Sequence, residues 1–522
     1  MSMRMSKKNL KALSMVLAAA VCGAVVMAVE LLGARMLSVV YGGSLNVWAA
    51  MISVTLLSLA AGYFAGGWMS DRWPRVELLG ACLLASAVLL ALCPHTGGIL
   101  TACYRRLGLE AGALASSAAI FFLPLGLMGM TGPFIIRLLA GGDGERRVGI
   151  TSGGVYAVST VGSVAGTLIT GFWLVVEFGT MGGFRIAAVT MAAVSILLFS
   201  VRFGWKAIPG VVLPIMLKFV PVPETGVGSE YKAGGVKIRV IDVQESVHGH
   251  MTVLEKGDYR LLVVNGIVQT GIPFSFYKGR GLADRYFQEL IPYMVEDPAS
   301  ARVLVVGLAG GMTASMLMAY DMQVQSVDLD PVIIQIARKH FGFRGSAVVA
   351  DGRRFLEDCG THYDFCVIDT YSGDVFPFHL ATIEAFEAAK SVLKPGGVLV
   401  LNYIGSPGGR AFACLYLTLE QVFGNILALR AEETDDVQTI TVFASDRAVE
   451  FNKGWQDLVL DFSGATGPDP VALAIGRLRV ERPKTGEAFV LTDNYSPIDY
   501  FRAEEALRWR VRTAEIIGHP AM

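Results

Sequence analysis

Four stretches decide the fold of this chain: RVLVVGLAGGM (302–312), VQSVDLDP (324–331), AVVADGRRF (347–355) and YDFCVIDTY (363–371). Each begins with a short apolar run, and each run is followed by Gly or Asp. Buried parallel strands have this pattern when their carboxyl ends open onto a ligand crevice. The sequence therefore predicts a doubly wound, Rossmann-like α/β domain with a binding site along one edge of its sheet.

A glycine-rich turn follows the first of these runs. Gly307, Gly310 and Gly311 stand where a strand must turn sharply into a helix and let a nucleotide approach the backbone. Ala309 takes the place of the second glycine in the GxGxxG pattern of dinucleotide-binding turns. A nucleoside without a pyrophosphate needs no large phosphate cradle, so this turn favours a ligand of the S-adenosylmethionine type over a dinucleotide.

Acidic residues follow the other three runs. Asp328 lies about 20 residues beyond the glycines, the spacing at which a carboxylate binds ribose hydroxyls. Asp351 and Gly352 end the third run, and Asp369 ends the fourth. Polar groups at four successive strand ends indicate a nucleoside-binding crevice; the alternative is a structural sheet that carries acids at its ends by chance.

The composition divides the chain into two halves. Hydrophobic residues make up 53% of the sequence and the mean hydropathy is +0.51, high values for a soluble protein. Residues 1–220 contain 16 Lys and Arg but only 7 Asp and Glu. The remainder of the chain therefore contains 28 Lys and Arg and 38 Asp and Glu. The formal net charge of −1 thus combines a basic, apolar half with an acidic one. No basic patch with interleaved aromatic residues indicates nucleic acid binding.

Six apolar runs in the first half are long enough to span a bilayer. They cover residues 13–40, 47–68, 76–92, 111–136, 150–176 and 184–201. The first is too long for a cleaved signal peptide, so we expect a retained helix. A seventh run, 208–220, is short and contains Pro214 and Lys218, which favours an interfacial connector over a full span.

Lys and Arg residues predict the orientation of these spans. They cluster before the first span and after the second, fourth and sixth, whereas the opposite loops carry fewer, with Arg105 and Arg106 as the main exception. Because basic loops stay in the cytoplasm, we expect a multi-pass protein of a bacterial-type inner membrane whose N-terminus and second half are cytoplasmic. If the seventh run also spanned, the second half would lie outside.

Two ionisable residues stand out near the end of the first span. Glu30 and Arg35 are costly in a bilayer unless paired, so both are candidates for a functional role; the alternative is a structural pair that holds helices together. The seven cysteines form no disulfide framework. Cys93 and Cys103 fall in a loop that we place outside, where a disulfide and two free thiols are comparable alternatives.

From Val236 the hydrophobic pattern changes to alternation. VKIRVIDV, HMTVLEK and YRLLVVNGIVQ follow it, and Gly257–Asp258 supplies a turn. We therefore predict a small antiparallel β unit before the α/β domain, joined to it by a helix near residues 281–295. The predicted domains are a six-span helical domain (1–206), a connector (207–229), the β unit with its helix (230–295) and the α/β domain (296–522).

The whole chain resembles the membrane-fused branch of the spermidine synthase (polyamine aminopropyltransferase) family. In the first half the resemblance rests on Glu30, Arg35, Gly42, Trp48, Asp71–Arg72 and GGVYAVSTVGSVAGTLITGFWL (153–174). In the second half it rests on the β unit, the nucleoside-binding strands, NGIVQ (265–269) and LTDNYSP (491–497). The family fold is a small β domain followed by a doubly wound α/β domain, as the patterns above also predict.

The resemblance implies a role for each candidate residue. Asp328 would bind the ribose, and Asp351–Gly352 would face adenine. Gln269 would reach over the site from the β unit. Asp369 would act as the general base or orient the attacking amine, with Tyr371 helping to bind that amine. The reaction would transfer an aminopropyl group from a sulfonium nucleoside to an amine and release methylthioadenosine.

Three positions depart from the soluble members of the family. Those proteins have an Asp at the position of Gly310, acids in the stretch that is here GIPFSFYKGR (271–280), and a second acid at the position of Ser372. A dicationic acceptor needs carboxylates at its far end. The candidates for acceptor binding in this chain are Tyr277, Glu289 and Asp374.

Three functions are compatible with these features. The first is a membrane-anchored aminopropyltransferase-like enzyme. The second is a methyltransferase or lyase that uses unmodified S-adenosylmethionine, whose carboxylate an acid at position 310 would repel. The third is a membrane transporter or sensor gated by nucleoside binding. S-adenosylmethionine or its decarboxylated form is the expected co-substrate, with no permanently bound cofactor and no metal. The expected partners are a nucleoside, an amine and the lipid bilayer, and a homo-oligomer is left open.

Overall fold

The computed structural model describes residues 7–43, 45–108, 110–140, 148–203, 227–273, 287–371, 373, 375–452, 476–484 and 486–517. These residues form two compact units. The first comprises the helices up to Phe203 together with the short segment Glu245–Gly249. The second comprises Val227–Gln244 and the described chain from His250 onward. The seventh apolar run of the sequence lies outside the described residues.

The first unit is helical. Its α-helices are α1 (Lys7–Tyr41), α2 (Leu45–Arg72), α3 (Val76–Leu92), α4 (Gly97–Leu107), α5 (Glu110–Gly129), α6 (Thr131–Ala140), α7 (Val148–Ile169) and α8 (Val175–Phe203). Five helical segments within the described residues are long and apolar enough to cross a membrane: Ala12–Tyr41, Val47–Arg72, Val76–His95, Glu110–Ala140 and Val148–Ser200. The apolar helices expected from the first half are therefore present.

The last of these segments contains two of the six predicted spans. It has 53 residues, which would make about 80 Å of straight helix against a bilayer core of about 30 Å. Gly179 interrupts it with non-helical backbone angles (φ 67, ψ 175), a conformation that glycine adopts without steric cost. The break lies between the runs predicted at 150–176 and 184–201. Six membrane crossings remain a prediction.

Arg35 forms an ion pair inside the first unit. Its Nη2 donates to Oε2 of Glu245 at 2.7 Å and to the carbonyl oxygen of Ser246 at 2.9 Å. Oε1 of Glu245 also accepts a hydrogen bond from the Thr180 hydroxyl at 3.1 Å. Glu30 is half-buried on α1, and its spacing of five residues puts it on a different face of the helix from Arg35. The structure thus pairs Arg35 with Glu245; a functional role for Arg35 or Glu30 stays a prediction.

The second unit begins with an antiparallel sheet of five strands in sequential order. The strands are β1 (Glu230–Ala233), β2 (Val236–Glu245), β3 (His250–Lys256), β4 (Tyr259–Val264) and β5 (Ile267–Pro273). Leu262 pairs with Thr270 but Val263 pairs with Val268, so Gln269 is an extra residue in β5. Such a β-bulge redirects side chains at the edge of a sheet, here at the residue predicted to reach over the site.

A seven-stranded sheet follows, with the order β11-β12-β10-β9-β6-β7-β8. Its strands are β6 (Arg302–Val306), β7 (Gln323–Asp328), β8 (Ser346–Val349), β9 (Tyr363–Ile368), β10 (Leu393–Gly405), β11 (Asn425–Arg430) and β12 (Gln438–Ser445). Strands β6 to β10 are parallel, and β12 pairs antiparallel with β10 and β11. The chain runs outward from β6 to β7 and β8, then returns to β9 and β10 on the other side. The topological switch point, where ligands bind in doubly wound sheets, lies between β6 and β9.

Helices cover both faces of this sheet. They are a 3₁₀ helix (Phe287–Met294) and the α-helices α9 (Met312–Ala319), α10 (Pro331–His340), α11 (Gly352–Asp358), α12 (Ile383–Ser391), α13 (Arg410–Val422) and α14 (Ile498–Ile517). The fold class is confirmed: apolar helices, a small antiparallel sheet and a Rossmann-like α/β domain follow one another. The helix expected near 281–295 is a 3₁₀ helix where it is described, and the domain boundaries stay predictions.

Candidate active site

The turn after β6 brings two strand ends into close contact. Gly307 and Gly311 have φ values of 92 and 73, and Ala309 between them has φ 46. A Cβ atom at Gly307 would lie 2.0 Å from the carbonyl oxygen of Asp369. No side chain fits there, and the positive φ disfavours every residue except glycine. Gly307 is therefore required for the ends of β6 and β9 to meet at the switch point.

Asp328 at the end of β7 is held against the same turn. Its Oδ2 accepts from the backbone nitrogen of Leu308 at 2.8 Å, and its Oδ1 accepts from that of Asp330 at 2.9 Å. Burial raises the pKa of the Asp328 carboxyl above its ordinary value, while the backbone donors oppose this rise. The carboxylate that is expected to bind the ribose thus lies beside the glycine turn, as the predicted role requires.

Asp351 and Gly352 begin α11 at the third strand end. Oδ1 of Asp351 accepts from the backbone nitrogen of Arg354 at 3.0 Å, so the carboxylate caps the helix. Its Oδ2 lies 3.4 Å from Nε2 of His379. A Cβ atom at Gly352 would lie 2.5 Å from Cγ1 of Val306, so glycine lets α11 pack against the end of β6. The strand end that is predicted to face adenine therefore lies against the end of β6.

Strand β5 contributes two neighbouring residues to the loops around the switch point. Nε2 of Gln269 donates to the carbonyl oxygen of Gly373 at 2.8 Å, in the loop that follows β9. Oγ1 of Thr270 accepts from the backbone nitrogen of Gly310 at 3.0 Å. A Cβ atom at Gly310 would lie 2.7 Å from Cγ2 of Thr270. An acidic side chain at position 310 therefore cannot be accommodated unless Thr270 moves.

Asp369 has a specific hydrogen-bond partner on the neighbouring strand. Nδ2 of Asn402, in β10, donates to its Oδ1 at 2.7 Å. Burial raises the pKa of the Asp369 carboxyl, and the hydrogen bond from Asn402 lowers it in part. A carboxylate with a raised pKa and a fixed orientation, at the switch point of the sheet, is suited to accept a proton from a bound amine.

Tyr371 is positioned by the backbone and by an arginine. Its hydroxyl oxygen accepts from the backbone nitrogen of Ile404 at 2.7 Å, and the guanidinium of Arg502 lies 5.3 Å from the centre of its ring. Arg502 is 2% exposed and also donates to the carbonyl oxygen of Ile404 at 2.9 Å. Burial raises the pKa of Tyr371 to about 12. These contacts fix the loop that carries Asp369, and a role for Tyr371 in amine binding stays a prediction.

The structure describes one of the three candidates for acceptor binding. Glu289 is half-buried in the 3₁₀ helix, and burial raises the pKa of its carboxyl to about 7. Tyr277 and Asp374 lie outside the described residues. Three residues near Asp369 or Gly310 were not found from the sequence: Thr270, Asn402 and Arg502. Asn402 carries a visible signal, because it is the one polar residue in the apolar run VLVLNYI (398–404) apart from a tyrosine.

Comparisons with known proteins match the part of the chain that carries this site. Residues 288–406 match the family model of the spermine/spermidine synthase domain. A probable polyamine aminopropyl transferase from Bifidobacterium longum is 29% identical over 196 residues, which cover 36% of this chain and 43% of that protein. A polyamine aminopropyltransferase from Vibrio vulnificus is 24% identical over 279 residues, which cover 50% of this chain and 91% of that protein.

A solved structure is also similar to part of the chain. It is a probable spermidine synthase from Corynebacterium glutamicum, with a TM-score of 0.35 and 19% identity over 54% of this chain and 95% of that one. The residues matched by the family model, 288–406, run from the 3₁₀ helix through β10 and include every strand end described above. The resemblance expected from the sequence is confirmed at this level: residues 288–406 of the chain match the spermine/spermidine synthase domain, and the curated relatives named above are polyamine aminopropyltransferases.

Proposed function

We propose that this chain is a membrane-anchored aminopropyltransferase-like enzyme. Its substrates would be an S-adenosylmethionine-derived sulfonium nucleoside, with the decarboxylated form as the aminopropyl donor, and an amine. Its second product would be methylthioadenosine. The family match and the named relatives support a transferase. The Asp369–Asn402 pair at the switch point is the observation that carries the proposal for this chain.

The chemistry requires little beyond binding and one proton acceptor. The amine nitrogen attacks the carbon next to the sulfonium sulfur, a C–N bond forms, and the C–S bond breaks with its electrons passing to sulfur. The nucleoside leaves as a neutral thioether, and the proton of the new ammonium passes to Asp369. Holding the amine in line with the C–S bond supplies much of the rate enhancement, and Asp369 supplies general-base catalysis. Asn402 would keep the carboxylate turned towards the nitrogen.

The apolar helices support anchoring of this enzyme in a membrane. Five described segments meet the length and composition of membrane spans. Basic residues cluster in alternate loops between the predicted spans, and this asymmetry favours a cytoplasmic α/β domain in a bacterial-type cell. This orientation would present the crevice to cytoplasmic nucleosides.

Thr270 favours a second candidate function. An acid that would bind a donor's terminal ammonium is missing at Gly310, and Thr270 fills the space that such a side chain would need. A site without that acid does not repel the carboxylate of unmodified S-adenosylmethionine. The alternative is therefore a methyltransferase, in which the same crevice would transfer the methyl group and release S-adenosylhomocysteine.

Product analysis with the full-length protein distinguishes these functions. The purified chain, in detergent or lipid nanodiscs, is incubated with S-adenosylmethionine or its decarboxylated form and a panel of primary amines. Mass spectrometry then identifies the nucleoside product and the modified amine. Methylthioadenosine together with an aminopropylated amine is the expected result. S-adenosylhomocysteine with a methylated amine would establish the alternative, and the absence of both products would contradict a transferase.

A further inference from the structure

The backbone pairing between β9 and β10 ends just before the candidate catalytic carboxylate. The last registered pair is Ile368 with Leu401. The next residues along the two strands are Asp369 and Asn402, whose side chains meet through the hydrogen bond of 2.7 Å. On its other side, Asp369 is held by its backbone nitrogen, which donates to the carbonyl oxygen of Val306 at 2.9 Å. The alignment of Asp369 with β10 therefore depends on contacts made by side chains.

A second side-chain contact joins the same two segments two residues further on. The hydroxyl oxygen of Tyr371 accepts from the backbone nitrogen of Ile404 at 2.7 Å. One residue separates Asp369 from Tyr371, and one residue separates Asn402 from Ile404. The segment after β9 is thus attached to β10 at both positions, so a displacement of Tyr371 would also move Asp369 relative to Asn402.

Arg502, in α14, touches both partners of this second contact. Its Nε and Nη2 donate to the carbonyl oxygen of Ile404 at 3.3 and 2.9 Å. The central carbon of its guanidinium lies 5.3 Å from the ring centre of Tyr371 and 5.5 Å from that of Tyr403. Both distances are within the range of cation–π attraction. Arg502 therefore holds Tyr371 through its ring and Ile404 through its carbonyl group, beside the hydrogen bond that joins them.

The charge of Arg502 is compensated by its neighbours. Arg502 is 2% exposed, and a buried charge destabilises a fold unless nearby groups compensate for it. Glu505 follows three residues later, on the same side of α14, and interacts electrostatically with the guanidinium. Its Oε2 also accepts from the hydroxyl of Tyr403 at 3.3 Å. A Cβ atom at Gly405 would lie 2.7 Å from the same Oε2, so glycine there leaves the space that this carboxylate fills.

We propose that Arg502 is a positioning residue for the transfer reaction, which holds the segment after β9 against β10 and so keeps Asp369 aligned with Asn402. This assignment rests on the proposed function. A guanidinium suits the task because it is planar and carries several donors, so it can lie near aromatic rings while its nitrogens donate to one carbonyl oxygen. The ammonium of lysine is a compact, strongly hydrated charge without such a plane. Lysine at position 502 should therefore keep the charge but lose the alignment.

Kinetics of the full-length Arg502→Lys variant test this role, with decarboxylated S-adenosylmethionine and the best amine of the panel. We expect kcat to fall by about 10- to 100-fold, because a misplacement of about 1 Å is sufficient for such a loss. The KM for the nucleoside should stay within about twofold of the wild-type value, since Asp328 and the turn at Gly307 are unchanged. Arg508→Lys is the matched control: Arg508 also lies on α14, its side chain is 62% exposed, and neither constant should change.

Chemical rescue separates alignment from general packing. Arg502→Ala removes the guanidinium, and guanidinium ion added to this variant should restore part of the lost turnover. Urea at the same concentration has a similar shape but no charge, so it should restore none. Tyr371→Phe removes only the hydroxyl of the second contact and should lower kcat at unchanged KM for the nucleoside. This variant tests the same alignment where an Arg502 variant does not fold.

Four results would overturn the assignment. A lower melting temperature of Arg502→Lys with unchanged kcat would show that Arg502 only stabilises the fold. Equal rescue by urea and guanidinium would show that the charge near the rings is not needed. Full turnover of Tyr371→Phe would show that the second contact does not align Asp369. If the wild-type protein transfers nothing to any amine, the proposed function fails first and this assignment with it, whereas the other three results leave the proposed function intact.

Discussion

The chemistry proposed for this chain depends on one carboxylate and the amide that orients it. Asp369 is half-buried at the end of β9, and Asn402 donates to its Oδ1 at 2.7 Å. Burial and the hydrogen bond act in opposite directions on the pKa of Asp369, and the net effect is a rise. The group is therefore a stronger base than an exposed aspartate, yet it retains a donor that stabilises its ionised form.

Asp369→Asn is the direct test of general-base catalysis. The amide keeps the shape of the side chain and an oxygen for the Asn402 donor, so nucleoside affinity should stay within a few fold. Turnover should fall by about two to four orders of magnitude, the usual span of general-base catalysis. Single-turnover kinetics and calorimetry on the same preparation measure both quantities. Full turnover would remove Asp369 from the reaction, and loss of nucleoside binding would make it a ligand-holding residue.

Asn402→Leu tests the orienting amide through the pH profile. Without its donor, the ionised form of Asp369 loses stabilisation, so the pKa of Asp369 should rise further. The base is then protonated at a higher pH than in the wild type, and the acidic limb of the kcat profile should move to higher pH. Turnover above that limb should fall by about 10- to 100-fold, as expected for a lost hydrogen bond to a charged group of 1.5–3 kcal/mol. An unshifted limb would contradict this coupling.

A double variant provides the control for Asn402. In the Asp369→Asn background the carboxylate is absent, so Asn402→Leu should add little further loss of turnover. Non-additivity of this kind is the signature of two residues that act through one interaction. Independent, multiplying losses would instead show that Asn402 contributes to the reaction without Asp369.

At the scale of secondary-structure elements, the turn after β6 determines whether the crevice forms. Gly307 has φ 92, and its missing side chain leaves room for the carbonyl oxygen of Asp369. The β-bulge at Gln269 lets β5 contact the loops after β6 and β9 through adjacent residues. The site thus depends on two local irregularities of the backbone, the turn at Gly307 and the β-bulge at Gln269.

Gly307→Ala should disrupt this turn. A residue other than glycine at a strongly positive φ costs about 1–3 kcal/mol, and the added methyl group would also collide with the carbonyl oxygen of Asp369. We expect a lower melting temperature and loss of S-adenosylmethionine binding by calorimetry. Gly360→Ala is the matched control, because nothing lies within 4 Å of a Cβ atom there. Equal behaviour of the two variants would contradict the close approach of β6 and β9.

At the scale of the whole molecule, the chain combines an apolar helical half with a nucleoside-binding half. The helical half contains a 53-residue segment that Gly179 breaks in two. If this segment crosses the membrane twice, the chain returns to the side of the membrane on which the segment begins. If the segment crosses the membrane only once, the α/β half would lie on the opposite side of the membrane, away from cytoplasmic nucleosides.

Labelling of single cysteines distinguishes these two topologies. Cys103 lies in α4, between the spans at 76–92 and 111–136 and in the segment predicted to be outside, and Cys359 lies in the α/β half; both thiols are free and half-exposed. In variants that keep only one of them, a membrane-impermeant maleimide should label Cys103 in intact bacterial cells. It should label Cys359 only after lysis, because an even number of spans returns the chain to the cytoplasm. Labelling of Cys359 in intact cells would require an odd number of crossings.

The sequence alone determined the features that depend on neighbouring residues. Apolar runs of membrane length, alternation in the β unit, and Gly or Asp at successive strand ends are local consequences of helix and strand geometry. They were sufficient for the fold class. They also identified Gly307, Asp328 and Asp369, because a parallel sheet brings the carboxyl ends of its strands to one edge wherever those strands stand in the chain.

Tertiary structure alone decided which side chains meet. Asn402 follows Asp369 by 33 residues and reaches it only because β10 lies beside β9. Thr270 precedes Gly310 by 40 residues, and Arg35 is paired with Glu245, 210 residues away. Contacts of this kind depend on strand order and helix placement, which are set by the packing of the entire core and leave no periodic signal in the sequence.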